Sequence, residues 1–352
     1  MRGSRSESSR CERYNLRVEP TAYGGGSRAN ELDLNWLGEH QGFCPDAERA
    51  MSPVGTTGHR KEGKTMSTQA ELVNVVQTES ERLQQYLTAL PADAWRKPSA
   101  CALWDIRDVV AHLSAIAHAY TDRITRGLRG DTSPSPAGFP APHIFQTLSG
   151  EERRQRATAP AQGTIALRER LGDDLLSVFG HAWEQFHQCI VTLTAHEWHQ
   201  PCYHSCGIIP VHAVVHAGVF ELAIHGWDIR SALEPSAPLA PDVLAAILDF
   251  FAECPHWFFL CAARLSTPIR YRFAFTGALS RQWGIVVEGD TADMGPAADT
   301  SPAHATFRCD GETFVLMICG RIDFDAALGD KRIIPTGDMA AVQAFKQWFQ
   351  GV

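Results

Sequence analysis

Hydrophobic residues recur at helical spacing along much of the chain from Met66 onward. Ser67 and Thr68 can cap a first helix, whose apolar face would comprise Leu72, Val75, Val76, Leu83 and Leu87. Three further stretches keep the same period, at residues 104–126, 165–194 and 211–233. Short or proline-rich links separate them, and long amphipathic helices joined in this way favour an α-helical bundle.

The pattern changes character after Pro241. Another helix is predicted through Phe258 and Phe259, and an apolar stretch over residues 313–319 ends at Gly320-Arg321. Alternating or β-branched residues predict three strands, at residues 269–276, 283–288 and 305–309. A helical period returns at residues 338–349 and predicts a last helix. The predicted fold class is therefore α plus α+β, with a four-helix bundle over residues 66–240 and a small α+β domain over residues 241–352.

Residues 1–65 differ from the rest of the chain. They contain 10 basic and 9 acidic residues, the run Gly24-Gly25-Gly26 and no sustained apolar period. Their start also lacks the apolar core of a signal peptide. We predict that this segment is disordered or a spurious extension from an upstream start codon, and that the folded protein begins at Met66.

Composition narrows the function classes. The chain has 352 residues and a net charge of −8, which argues against general binding to nucleic acids or to anionic membranes. It has no uninterrupted apolar run of about 18 residues, and neither a phosphate-binding loop nor a nucleophile elbow. The 10 cysteines are scattered without a preceding secretory signal, which indicates reduced thiols and a cytoplasmic location. The 15 histidines point to metal or acid–base chemistry.

The strongest candidate site combines residues from two predicted helices. His112 lies among apolar residues of the second helix, and Glu221 and His225 are four residues apart on the fourth. An i,i+4 pair projects from one helical face, so these three side chains can bind one cation and leave coordination positions open. Two imidazoles with one carboxylate suit zinc, and they also suit non-haem iron. The alternative is that these residues are hydrogen-bonded members of the core.

A second cluster of histidines and cysteines precedes the fourth helix: His199, Cys202, His204, Cys206 and His212. No second Cys/His pair follows at zinc-finger spacing, so a structural zinc is disfavoured. His212 and His216 form another i,i+4 pair, but at 100° per residue His216 lies about 180° from His225. These two histidines are expected to form hydrogen bonds or line a cleft.

Two strings in the sequence resemble a known family. Residues 104–113, Trp-Asp-Ile-Arg-Asp-Val-Val-Ala-His-Leu, resemble the second-helix signature of the DinB-like superfamily. Residues 221–229, Glu-Leu-Ala-Ile-His-Gly-Trp-Asp-Ile, resemble the fourth-helix signature of its mycothiol-dependent maleylpyruvate isomerase branch. The resemblance extends over residues 66–352 and is weaker in the carboxy-terminal part, which resembles sterol carrier proteins.

The resemblance implies a zinc site and a thiol cofactor. The family's zinc ligands fall on His112, Glu221 and His225, and its cleft-facing arginine falls on Arg321. Arg321 is thus implied to act in catalysis and cofactor binding, where its guanidinium can grip a carboxylate of the substrate or of the thiol. The implied reaction is addition of a zinc-stabilised thiolate, such as that of mycothiol, to a small electrophile. Loss of the thiol gives isomerisation, and a persistent adduct gives S-transfer.

Two other function classes remain open at this point. One is a metal-dependent hydrolase that uses no thiol. The other is a non-catalytic protein whose second domain binds an apolar ligand or a partner. Dependence of activity on added thiol separates the first from the isomerase, and ligand binding after metal removal would favour the second.

Overall fold

Helix α1, Gln69–Ala89, begins at a capping box formed by Thr68 and Glu71. The computed structural model describes residues 67–134, 150–205, 207–260, 265–297 and 302–351. The extension predicted for residues 1–65 lies outside these ranges. Helix α2, Ile106–Leu128, begins at a second capping box, in which Asp105 and Asp108 each accept a hydrogen bond from the other's backbone N–H. Both helices start within two residues of the predicted positions.

The predicted third helix is interrupted. The structure has α3, Gly150–Leu171, and α4, Leu175–Val191, joined by a 3-10 turn, Gly172–Asp174. Gly172 adopts a φ of +52°, a left-handed conformation that glycine accepts without strain. Helix α3 therefore ends at the preceding residue, Leu171. The prediction of one helix over 165–194 was therefore wrong in its start and in its continuity.

Helix α5, Val211–Leu233, has the predicted bounds and completes the bundle. It packs against α1 and α2, and α4 packs against α1 and α2. Gly218 of α5 lies so close to Phe186 of α4 that an added Cβ would sit 3.0 Å from the ring. A short hairpin, β1 Pro201–His204 and β2 Gly207–Pro210, leads into α5 and was not predicted. Further 3-10 turns lie at Ala94–Arg96 and Glu197–His199.

Helix α6, Val243–Glu253, connects the bundle to the rest of the chain. It packs against α5 and also contacts the strand Thr291–Pro296 of the carboxy-terminal part. The predicted helix through Phe258 and Phe259 is broken at Cys254, because Pro255 disfavours a helical conformation in the residue before it. A short helix α7, Pro255–Phe258, follows. The predicted domain boundary at residue 240 stays a prediction.

The second part contains a five-stranded mixed sheet. Its strands are β3 Ile269–Thr276, β4 Gln282–Glu288, β5 Thr291–Pro296, β6 Ala305–Asp310 and β7 Ile334–Gly337. Their spatial order is β5-β4-β3-β6-β7, with β3 and β6 parallel and the other neighbours antiparallel. A 3-10 turn, Gly277–Leu279, follows β3.

Helices complete this second part. They are α8 Gly311–Ile318, α9 Phe324–Gly329 and α10 Met339–Trp348. Alternate residues of β3 point into the core, where Phe273 contacts Phe307, Phe314 of α8 and Phe345 of α10. Helices followed by a mixed sheet with its own helices confirm the predicted α plus α+β class. Within the described ranges, no helix has both the length and the apolar character needed to cross a bilayer.

Candidate functional site

The three predicted metal ligands meet in the bundle. His112 comes from α2, and Glu221 and His225 come from α5. The Nε2 atoms of His112 and His225 each lie 3.3 Å from Oε2 of Glu221. One ligand atom from each residue lies within 4.8 Å of the other two. The structure therefore brings together all three residues that the spacing argument selected.

These three side chains are mostly buried but remain partly exposed to solvent. Their exposed fractions are 20% for His112, 17% for Glu221 and 13% for His225. Trp104, just before α2, lies against both imidazoles, with ring centroids 4.8 Å from His112 and 6.0 Å from His225. The indole ring of Trp104 therefore covers one side of the two imidazoles.

The electrostatics favour an anionic Glu221. Burial raises the pKa of Glu221, but hydrogen bonds with His112 and His225 outweigh this effect and hold its pKa well below the usual range. Burial lowers the pKa of His112. For His225, interactions with Cys101 and Asp228 outweigh burial and raise its pKa. A buried carboxylate between two imidazoles is a typical cation-binding arrangement.

Arg321 reaches the edge of this site from the carboxy-terminal part. Helix α8 ends in a Schellman motif: the N–H of Gly320 bonds to Met317 O, and the N–H of Arg321 bonds to Leu316 O. Gly320 has a φ of +72°, and an added Cβ would lie 2.9 Å from Gly351 Cα, so this position requires glycine. The Gly-Arg pair is thus explained by the turn that directs Arg321 towards the bundle.

Arg321 binds a carboxylate of the protein itself. Its Nε donates to Asp228 Oδ1 at 3.0 Å and its Nη2 donates to Asp228 Oδ2 at 2.8 Å. Its Nη1 donates to Cys319 O at 2.8 Å. Asp228 is fully buried, one turn of α5 beyond His225. The two guanidinium donors that could bind a carboxylate of a substrate or thiol, Nε and Nη2, already bind Asp228. Contact of Arg321 with a substrate or thiol therefore stays a prediction.

Asp228 and Cys101 are functional candidates that the sequence argument missed. Asp228 Oδ2 lies 2.9 Å from Nδ1 of His225, and Cys101 Sγ donates to the same oxygen at 2.9 Å. The i,i+3 spacing from His225 could have indicated Asp228, but no local pattern indicates Cys101. Cys101, His225 and Asp228 form a second group with metal-ligand spacing. The adjacent Arg321 cation opposes a metal there, so His112, Glu221 and His225 fit a metal better.

The second histidine cluster has other roles. Cys206 lies outside the described residues, Cys202 is buried, and His204 Nε2 lies 3.1 Å from the hydroxyl of Tyr120. His212 and His216 both contact Glu253 of α6. Within the described part of the chain, none of these residues belongs to a group with metal-ligand spacing. His212 and His216 are thus hydrogen-bonded, as their position on α5 indicated.

Comparison with known proteins bears on the same region. Residues 76–230 match the family model for the mycothiol maleylpyruvate isomerase N-terminal domain. This range contains His112, Glu221, His225 and Asp228 but not Arg321. Among curated proteins, none matches the chain significantly.

Solved structures give weaker similarities. A crystal structure of the mycothiol-dependent maleylpyruvate isomerase aligns at 13% identity and a TM-score of 0.47, over 73% of this chain and 90% of that one. A single-substitution mutant of that enzyme aligns at 12% identity and a TM-score of 0.45, with the same coverage. A sec-alkylsulfatase from Pseudomonas sp. aligns at 12% identity and a TM-score of 0.26, over 40% of this chain and 25% of that one.

Proposed function

We propose that this chain is a metal-dependent enzyme that isomerises a small electrophile with a low-molecular-weight thiol, because residues 76–230 match the family model for the mycothiol maleylpyruvate isomerase N-terminal domain. The observation that carries this proposal is the convergence of His112, Glu221 and His225 on one point. Mycothiol is the proposed thiol, because the family is named for it. S-conjugation of the electrophile is the alternative outcome, since both reactions need the same thiol site.

The donor set fits a divalent cation. Ligand atoms about 2.1 Å from a tetrahedral zinc ion lie roughly 3.4 Å apart. The Nε2–Oε2 separations of 3.3 Å, from His112 to Glu221 and from His225 to Glu221, are close to that value. Two imidazoles and one carboxylate form a three-ligand site, the number typical of catalytic zinc. We propose zinc as the cation, held by these three residues.

The cation and the protein would divide the chemistry between them. A divalent cation bound here would supply a Lewis acid that keeps a thiol deprotonated at neutral pH. Glu221 would contribute negative charge to that cation, and the two histidines would contribute imidazole nitrogens. Trp104 shields one side of the site from water, which strengthens electrostatic interactions there. Arg321 is proposed to act at this site as well.

The proposed location is cytoplasmic. Six cysteines of the described residues form no disulfide: Cys101, Cys189, Cys202, Cys254, Cys309 and Cys319. Free thiols, four of them buried in the carboxy-terminal half, suit a reducing compartment. The proposed partners are the thiol and a small electrophile, and the net charge of −8 does not suit nucleic acid.

Metal content and thiol dependence test the proposal. The purified full chain should contain one zinc per chain by elemental analysis and bind mycothiol in calorimetry only when zinc is present. It should convert maleylpyruvate only when mycothiol is added. His225→Ala should lose all three properties. The matched control is His181→Ala, an exposed histidine on α4 that should keep them.

The other function classes predict different results. Turnover of an ester or amide that is independent of thiol would indicate a hydrolase. Zinc content far below one per chain, with no thiol binding, would refute an enzyme of the proposed type.

A further inference from the structure

We propose that Asp228 is a positioning residue that holds His225 with its proton on Nδ1, and that Arg321 acts on the site by holding Asp228. The proposal rests on the proposed metal site at His112, Glu221 and His225. It assigns Arg321 a role in ligand orientation rather than in direct contact with a substrate.

The two nitrogens of His225 face different partners. Nε2 lies 3.3 Å from Glu221 Oε2, and Nδ1 lies 2.9 Å from Asp228 Oδ2. A neutral imidazole carries one proton and one lone pair. A carboxylate at 2.9 Å fixes the proton on Nδ1, because an anionic oxygen can only accept a hydrogen bond. With a cation held between Nε2 and Glu221, the lone pair of Nε2 would face that cation, which is the tautomer that a metal ligand needs.

Asp228 is itself held in place from three directions. The guanidinium of Arg321 binds both of its oxygens, at 3.0 and 2.8 Å, and Cys101 Sγ donates to Oδ2 at 2.9 Å. The backbone N–H of Ala100 donates to the carbonyl of Asp228 at 3.0 Å, which ties the loop of Cys101 to α5. The carboxylate is fully buried, so water cannot substitute for a lost partner.

The two hydrogen bonds from the Arg321 guanidinium to Asp228 explain how a residue outside the bundle can affect the metal site inside it. A buried carboxylate without a counter-charge is strongly unfavourable, so Arg321 is needed to keep Asp228 anionic. Its Nε and Nη2 are the pair of donors that would bind a substrate carboxylate bidentately, and both are engaged by Asp228. Loss of Arg321 should therefore be detected first as weaker metal binding.

Zinc affinity of the full chain is the first measurement. Loss of a group that orients a metal ligand typically weakens metal binding about 10- to 100-fold. Asp228→Asn should weaken zinc binding by that factor in competition with a chromophoric chelator. Arg321→Lys should give a smaller loss, because an ammonium supplies charge without the planar fork.

The matched control is Asp108→Asn. Asp108 is also a buried, arginine-paired carboxylate on a bundle helix, 2.9 Å from Arg168 Nε, but it does not contact the ligands. It should bind zinc like the parent even if its stability falls. If Asp228→Asn does not fold, Arg321→Lys still tests the proposal.

The hydrogen bond at Nδ1 of His225 is the second measurement. In ¹⁵N-histidine-labelled protein at saturating zinc, the Nδ1–H proton of His225, assigned by its loss in His225→Gln, should resonate downfield, as expected for a hydrogen bond to a carboxylate. This downfield shift should be reduced in Asp228→Asn and kept in Asp108→Asn.

The outcomes separate this inference from the proposed function. A parent that binds no zinc overturns both. A parent that binds zinc, with Asp228→Asn and Arg321→Lys equal to Asp108→Asn in affinity, overturns the positioning role and leaves the metal site intact. Weaker thiol or substrate binding in Arg321→Lys at unchanged zinc affinity would indicate direct contact instead.

Discussion

Replacing Glu253 with Gln should destabilise the contact between α5 and α6. Glu253 Oε1 lies 2.9 Å from His212 Nε2, and Oε2 lies 3.1 Å from His216 Nδ1. Only 11% of the Glu253 side chain is exposed, so water cannot replace either hydrogen bond. The substitution keeps the shape of the side chain and removes its charge. Two buried imidazoles would then face an amide instead of a carboxylate.

The size of the effect follows from the pKa of Glu253. Burial raises this pKa, but hydrogen bonds with His212 and His216 outweigh burial and lower it from 4.5 to about 2. At 1.36 kcal/mol per pKa unit, the charged form gains about 3 kcal/mol of stability from folding. Because the folded-state pKa lies below the unfolded one, this contribution is present above about pH 4.5. It is lost as the pH falls towards 2.

Urea denaturation at pH 7, 6, 5 and 4 is the assay. Glu253→Gln should lower the free energy of unfolding by about 2–3 kcal/mol at pH 7, and the difference from the parent should begin to shrink below about pH 4.5. Glu184→Gln, on the exposed surface of α4, should change it by less than about 0.5 kcal/mol. A difference under about 1 kcal/mol at pH 7, or one that does not change with pH, would refute the reasoning.

Three further predictions concern the site and its supports. His112→Ala and His225→Ala should each lose zinc by elemental analysis, and full occupancy in both would refute the metal site. A chain that begins at Met66 should match the full chain in Tm and zinc content, whereas a Tm lower by several degrees would show that the preceding segment packs on the fold. Gly320→Ala should cost about 1–2 kcal/mol in urea denaturation, because its φ is +72°, while Gly329→Ala should be neutral or stabilising because nothing lies near its Cβ position. Equal effects of the two alanines would contradict this account of the turn.

The bundle helices could be predicted where capping and hydrophobic period agreed. Ser67 and Thr68 mark the start of α1 in the sequence, where Thr68 is the N-cap, and α5 has its predicted bounds. The break between α3 and α4 could not be predicted from the apolar pattern. Leu167, Leu171 and Leu175 keep i,i+4 spacing across it, and only the conformation of Gly172 reveals the turn.

The strands that the sequence did not reveal lie at the edges of the sheets. Strand β5 contains Gly295 and Pro296, and β7 contains Pro335 and Gly337; they are the two outer strands of the five-stranded sheet. Proline is tolerated at an edge, where its missing N–H breaks no ladder bond. Such strands lack the alternating aromatic residues that identified β3 and the β-branched residues that identified β4, and pairing with their neighbours stabilises them.

The candidate site shows the same division between local and long-range information. Glu221 and His225 share one helix, so their spacing alone predicts that they act together. Asp228 lies on the same helix among buried apolar residues. It must have a hydrogen-bonding or cationic partner, because burial of a carboxylate without one greatly destabilises the folded state. The sequence cannot say which of 32 basic residues supplies it. Arg321 lies 93 residues further along the chain, and only the turn at Gly320 brings its guanidinium to Asp228. The orientation of a ligand in the bundle thus depends on how the carboxy-terminal sheet and helices fold.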